Sequence, residues 1–138
     1  MKEPNKAVVC RFYEDCLNHH NAEVYADFCS EVVYHAPAIG ELRGEAHRQL
    51  LITLFRGFPD GRWTIKDQIS EEDKVCTRWA FAGTHQGMFK GIPATGKQLH
   101  YSGISIDRFA DGKIVEEWEE WDTLGVLHQL GALGPGLA

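Results

Sequence analysis

At 138 residues the chain has the length of one domain, here taken as residues 1–138, and can bury most of its apolar surface. Hydrophobic residues make up 43% and charged residues 25%, and the formal net charge of −6 disfavours a general nucleic-acid or anionic-membrane surface. The opening MKEPNKAVVCRF lacks an apolar core long enough for a signal peptide and no window approaches a membrane span, so a cytoplasmic location is expected.

Apolar residues at Val9, Phe12, Tyr13, Cys16 and Leu17 recur at helical spacing and predict a helix from Lys6 to Asn18. Asn21 reads as the N-cap of a second helix, with Glu23 in its first turn. Glu31 to His35 reads as a short strand that stops at Ala36-Pro37. Gly44 to Phe55 is predicted helical, with Leu50, Leu51, Leu54 and Phe55 on its apolar side and His47 on its surface. Phe58-Pro59-Asp60-Gly61 is a turn. Four strand-like runs follow, at Arg62–Ile69, Lys74–His85, Gln98–Phe109 and Lys113–Trp121, the last two joined by the hairpin signal Asp111-Gly112. A short helix capped by Asp122 closes the pattern at Gly131, and the final GALGPGLA is expected to be loosely ordered unless it packs on a partner.

Helices first and antiparallel strands afterwards predict an α+β domain with helices on one sheet face. A long, strongly bent sheet wrapped around helices leaves a cone open at one end. One face of DGKIVEEWEEWD, Asp111 to Asp122, then points into a pocket and the other meets solvent or a second subunit. That division explains why carboxylates and tryptophans occur on both faces of a single strand.

Other motifs carry less. GIPATGKQ, Gly91 to Gln98, has the spacing of a phosphate loop up to its lysine, but a strand follows where a helix N-terminus is required. The seven histidines are scattered without metal-ligand spacing, so no metal site is expected. Cys10, Cys16, Cys29 and Cys76 lack Cys-x-x-Cys spacing and read as reduced, mostly buried thiols.

The stretch GTHQGMFKGIPATGKQLHYSGISIDRFADGKIVEEWEEWDTLGVLHQLG, Gly83 to Gly131, resembles the SnoaL-like polyketide cyclases, also called ester cyclases. The resemblance extends back through VVYHAPAIGELRG and FPDGRWTI and covers most of the chain. It implies the NTF2-like cone, with N-terminal helices packed on a strongly curved sheet that encloses a pocket. It also implies an aldol-type ring closure, without metal or cofactor, on a small apolar carbonyl compound. The family's acid/base residue on the last strand falls on Glu119, and its assisting histidine on Ser105, by pairing across the Asp111-Gly112 hairpin. Glutamate thus replaces aspartate and serine replaces histidine. Ketosteroid isomerases share the cone; their aromatic hydroxyl corresponds to Tyr13, but their base falls on Ala36 and their acidic donor on Ser105, which argues against steroid isomerisation. The same comparison turns Glu117, Glu119 and Trp121 inward and Ile114, Glu116 and Trp118 outward.

The expected catalytic set is therefore Glu119, His35 and Ser105, with His35 placed at the pocket rim. Tyr13, Trp79, His85, Glu117 and Trp121 are the expected substrate-binding residues. Outward Glu116 should pair with Arg78 or Arg108, and Trp118, too large to leave bare, suggests a homodimer through the convex sheet. Two alternatives remain: a non-catalytic protein that binds a small apolar ligand, and an epoxide-opening hydrolase, which needs an arginine inside the cone.

Overall fold

The computed structural model describes residues 3–132, so the Gly/Pro-rich end lies outside the described residues from position 133 on. Helix α1 (Asn5–Arg11) runs without a break into a π-helical segment, Phe12–Asn18. The wider turn brings Phe12, Tyr13, Cys16 and Leu17 all into the core, where a uniform α-helix was expected. Asn18 fixes its end to the sheet: the side-chain amide donates to the Trp63 carbonyl (3.0 Å) and accepts from the Trp63 N–H (2.7 Å). Asn21 caps as expected, its side chain accepting from the Glu23 N–H at 3.1 Å. It opens a 3₁₀ turn (Ala22–Val24) that passes into the short helix α2, Tyr25–Phe28.

Strand β1 (Cys29–Ala36) starts two residues earlier than its sequence pattern indicates, and β2 (Gly40–Arg43), absent from that pattern, folds back on it. Four residues of mixed polarity offer no alternation to read. Helix α3 (Glu45–Gly57) follows, then β3 (Arg62–Glu71), β4 (Lys74–Thr84), β5 (Gln98–Ala110), β6 (Lys113–Trp121) and α4 (Thr123–Gln129). Asp122 caps α4, its carboxylate accepting from the Gly125 N–H at 2.9 Å.

The strands form one curved, mixed sheet in the order β2-β1-β6-β5-β4-β3. Every pairing is antiparallel except β1 with β6, which is parallel. Helices cover the concave face. An aromatic core that includes Phe12, Tyr34, Trp63, Trp79 and Phe81 fills the deep part of the space between the two layers. The strands approach closely at Gly103: a Cβ there would stand 2.4 Å from the Trp79 ring and 2.6 Å from the Glu120 carbonyl, so only glycine fits.

The hairpin at Asp111-Gly112 carries an unforeseen bulge. Arg108 pairs with Glu116 but Phe109 pairs with Ile114, leaving Val115 as an extra residue. The bulge reverses side-chain parity near the turn. Ile114, expected outward, is therefore buried at 1% exposure. Beyond it the expected parity holds, with Glu117 inward and Trp118 outward.

All four cysteines are free thiols. Cys16 and Cys29 are buried, Cys76 is half-buried, and Cys10 is exposed.

Candidate active site

A cavity of about 290 Å³ opens between the concave sheet face and the helices. Phe12, Tyr13 and Leu17 of the π-helical segment and Leu50, Leu51 and Leu54 of α3 form one wall. Trp63, Trp79, Tyr101 and Trp121 of the sheet form the other. Phe89 and Lys90, on the connection between β4 and β5, stand beside Trp121, with the Lys90 ammonium 5.6 Å from the Trp121 ring centre and 5.7 Å from that of Phe89. The lining is apolar except at the β6 end, where polar groups converge.

Glu119 stands at the centre of them. One carboxylate oxygen accepts from the Tyr34 hydroxyl at 2.7 Å and the other from the Ser105 hydroxyl at 2.7 Å. Ser105 lies directly opposite Glu119 in the β5–β6 ladder, a register set by the Val115 bulge, and is fully buried. Its oxygen accepts from the Trp79 indole N–H at 2.9 Å, which commits its own proton to Glu119. Trp79 → Ser105 → Glu119 is thus a directed chain. With both oxygens accepting, Glu119 is a carboxylate, and each oxygen keeps a further lone pair. Tyr13 reaches the same group, close to Ser105, and burial together with the Asp107, Glu117 and Glu119 charges drives its hydroxyl well above the usual phenol range. It remains a donor at any physiological pH.

One step along β6, Glu117 also faces the cavity and is 7% exposed. It stands directly opposite Asp107 in the ladder, and both carboxyls are buried. His47 Nε2 lies 3.4 Å from its other side, and the Tyr25 hydroxyl lies 2.6 Å from His47 Nδ1. Burial first, and then the Glu119 charge, push the Glu117 carboxyl up to about 8. Burial holds the His47 imidazole down to about 4, so the ring is neutral.

Tyr13, Trp79, Ser105, Glu117, Glu119 and Trp121 are therefore gathered at or beside the cavity, while two other expected site residues are not. His35 lies on the convex face: in β1 it alternates with inward Tyr34 and stands opposite Trp118. Its Nε2 is 2.8 Å from Glu116 and its ring stacks on Trp118 at 5.5 Å. Arg108 holds the other Glu116 oxygen at 3.1 Å, and the His35 and Arg108 contacts together keep that carboxyl below the usual range. Arg78 pairs instead with Asp67 at 2.7 Å. His85 is fully buried but walled off from the cavity. It stacks on Phe58, and its Nδ1 and backbone clasp Thr95 and Gly96, fixing the Gly/Pro-rich connection. β4 ends at Thr84, so His85 sits past the sheet, where Phe58 and Phe89 close over it.

The residues missed are Tyr34, His47, Asp107 and Tyr25. His47 is 3% exposed rather than on the surface, and it had a signal: it precedes Leu51 and Phe55 at four-residue steps, on the buried stripe of α3. Among the described residues no group of three or more His, Cys, Asp or Glu side chains is arranged to hold a metal ion. None of their helices is long and apolar enough to cross a membrane.

This architecture has known counterparts. The chain matches the SnoaL-like polyketide cyclase family over residues 7–130 and belongs to that family, whose NTF2-like cone it adopts. Among curated proteins it is similar to the aklanonic acid methyl ester cyclases DnrD of Streptomyces peucetius and DauD of Streptomyces sp. strain C5, each 38% identical over 61 residues. Those 61 residues are 44% of this chain and 42% and 38% of the two relatives, so the chain matches well under half of their length. Among solved structures, TsrD of Streptomyces laurentii is 30% identical, with a TM-score of 0.81 over 95% of this chain and 100% of that one. AclR, a proposed hydroxylase from Streptomyces galilaeus, is 26% identical, with a TM-score of 0.83 over 94% and 97% of the two chains.

Proposed function

We propose that the chain catalyses proton transfer, without a cofactor, on a small and largely apolar carbonyl compound held in the cone, in an aldol-type cyclisation or an isomerisation. The observation that carries this reading is the Glu119 carboxylate, anchored by two hydroxyl donors inside a largely apolar cavity. A base fixed in that way meets its substrate without reorienting. Glu119 removes the proton alpha to the carbonyl, and the electron pair moves onto the carbonyl oxygen, which Tyr13 can hydrogen-bond. In a ring closure the enolate carbon then attacks a second carbonyl, and the new alkoxide recovers the proton from Glu119. Ser105 acts through Glu119 as a positioning residue, and His35, on the far side of the sheet, has no part. The cyclases named for aklanonic acid methyl ester support a carbonyl-bearing polyketide as the substrate class. An epoxide-opening relay lacks its arginine: Arg78 and Arg108 are engaged on the convex face.

The test is deuterium exchange at the α-carbon of 2-acetonaphthone, a methyl ketone on an aromatic body, followed by NMR. Wild type should accelerate exchange, and Glu119→Gln should lose at least about a hundredfold of that rate. Tight binding with no exchange in either protein would favour a non-catalytic carrier of apolar ligands.

The assembly proposed with this reading is a homodimer, located in the cell's cytoplasm. Ile69, Cys76, Ile106, Trp118 and His35 stand in register as one row across the convex face. Ile69 is 70% exposed and Ile106 and Trp118 more than a third, and charged residues at Glu71, Lys74, Arg108 and Glu116 form a parallel row beside them. An apolar stripe edged by charge suits a second copy of the same surface.

A further inference from the structure

Glu117 is unused by the proton transfer just described, yet it faces the same cavity and sits two residues from Glu119 on one strand face, about 7 Å away along the strand. Its neighbours fix its state. Glu117 and Asp107 stand directly opposite each other in the ladder, both buried, and Asp107 Oδ1 has no hydrogen-bond partner, so burial and mutual repulsion favour the protonated form of each. Among the described residues, no positively charged group acts on Glu117. From α3, His47 presents a neutral ring at 3.4 Å. From α2 and β1 come only the hydroxyls of Tyr25 and Tyr34 and the thiol of Cys29; the π-helical segment adds Tyr13. All four are held in their neutral forms chiefly by burial. Among the described residues, the charge that acts on Glu117 is that of Glu119, and it is negative.

We propose that Glu117 is a second ligand-contacting group of the cavity, a neutral carboxylic acid that donates a hydrogen bond to the carbonyl oxygen of the bound compound. Asp107, still more deeply buried and also pushed well above the usual carboxylate range, keeps its own proton and can point it at Glu117 across the ladder, leaving the Glu117 proton free to face the cavity. The cavity then offers an acid and a base one strand repeat apart. It selects compounds that present a carbonyl oxygen and, a few ångströms away, an acidic C–H. When Glu119 withdraws that proton, the charge arriving on the oxygen meets the Glu117 donor, and the Glu117 proton stays on Glu117. This inference rests on the proton-transfer reading but concerns a different residue and a different observable.

The experiment compares 2-acetonaphthone with 2-ethylnaphthalene, which has the same shape and no acceptor, by quenching of tryptophan fluorescence. At pH 6 wild type should prefer the ketone by about tenfold, the worth of one hydrogen bond. The preference should disappear as the pH rises through about 8, where Glu117 ionises. Glu117→Gln, whose amide still donates, should keep a preference that no longer depends on pH, while Glu117→Leu should remove it. The wild-type pH profile stands even if the leucine variant does not fold. Equal binding of the two probes at pH 6, a pH-independent preference in wild type, or no binding of either probe would overturn the proposal. Loss of exchange in Glu119→Gln with the ketone preference intact leaves this inference standing, because that result concerns the other carboxyl. A ketone preference without α-exchange in wild type would sink the proton-transfer reading and leave the Glu117 contact in place.

Discussion

Glu117 and Glu119 are the same residue type on the same strand face, and their partners separate them. Glu119 accepts hydrogen bonds from two hydroxyls, whereas Glu117 stands opposite a second buried carboxyl and faces a neutral imidazole. Environment thus divides two identical side chains into an acceptor and a donor. The stability of the protein should register the difference. Glu117 has an ordinary value of 4.5 and is raised to about 8 in the fold. Its contribution is complete below about 4.5, where folded and unfolded chains both hold the proton. Between 4.5 and 8 only the folded chain holds it, so stability falls as pH rises, by up to about 1.4 kcal/mol per unit. Glu117→Gln should flatten that segment of the stability curve, measured by urea denaturation from pH 4 to 9; a slope unchanged in the variant would assign it to another group. His35→Ala offers the converse test. As a half-buried pair on the convex face it should cost about 1 kcal/mol and leave binding of 2-acetonaphthone unaltered.

At the scale of elements, the β5–β6 hairpin carries the site, and it was also the most legible part of the sequence. The Asp-Gly turn sets which strands pair, but an unbulged two-residue loop would put Ser105 opposite Trp118, and it is the extra residue at Val115 that brings Ser105 opposite Glu119. The bulge at Val115 was not legible, because no residue type there demands one. Tyr34 was hidden for a different reason. It reaches Glu119 only because β1 runs parallel to β6, and a pairing between segments about eighty residues apart leaves no local mark. His35 was placed wrongly by the same gap: its side of β1 depends on a register that only the assembled sheet supplies. Gly103 tests how tightly this part of the sheet is drawn together. Gly103→Ala would drive a methyl into the Trp79 ring and the Glu120 carbonyl, and should cost about 1–3 kcal/mol and loosen the Trp79–Ser105 hydrogen bond. Thermal unfolding with tryptophan emission as the readout follows both effects. The His85–Thr95 clasp makes a second prediction. Thr95→Val removes the hydroxyl 2.9 Å from the buried ring nitrogen and leaves it only the backbone N–H of position 95 at 3.3 Å, which should cost about 0.5–1.5 kcal/mol and speed amide exchange between residues 86 and 97 more than in the sheet.

For the whole molecule, the order of helices and strands was enough to indicate an α+β cone, and the curved six-stranded sheet under its helices has that form. The sequence could not show how the convex face would be organised, since its apolar row is assembled from one residue on each of five strands. If that row is a dimer interface, sedimentation at micromolar concentration should give a dimer, and Trp118→Glu should shift it to monomer without altering the cavity. A wild-type monomer would leave the row unexplained.

The central claim is that a carbonyl compound lies in this cavity with its acidic carbon toward Glu119. A crystal structure with 2-acetonaphthone tests it most directly. The account predicts the ketone inside the cone, its α-carbon about 3–3.5 Å from a Glu119 oxygen and its carbonyl oxygen turned toward Glu117 or Tyr13. A ketone bound outside the cone, or inside it with the carbonyl oxygen pointing to the apolar wall of α3, would contradict it.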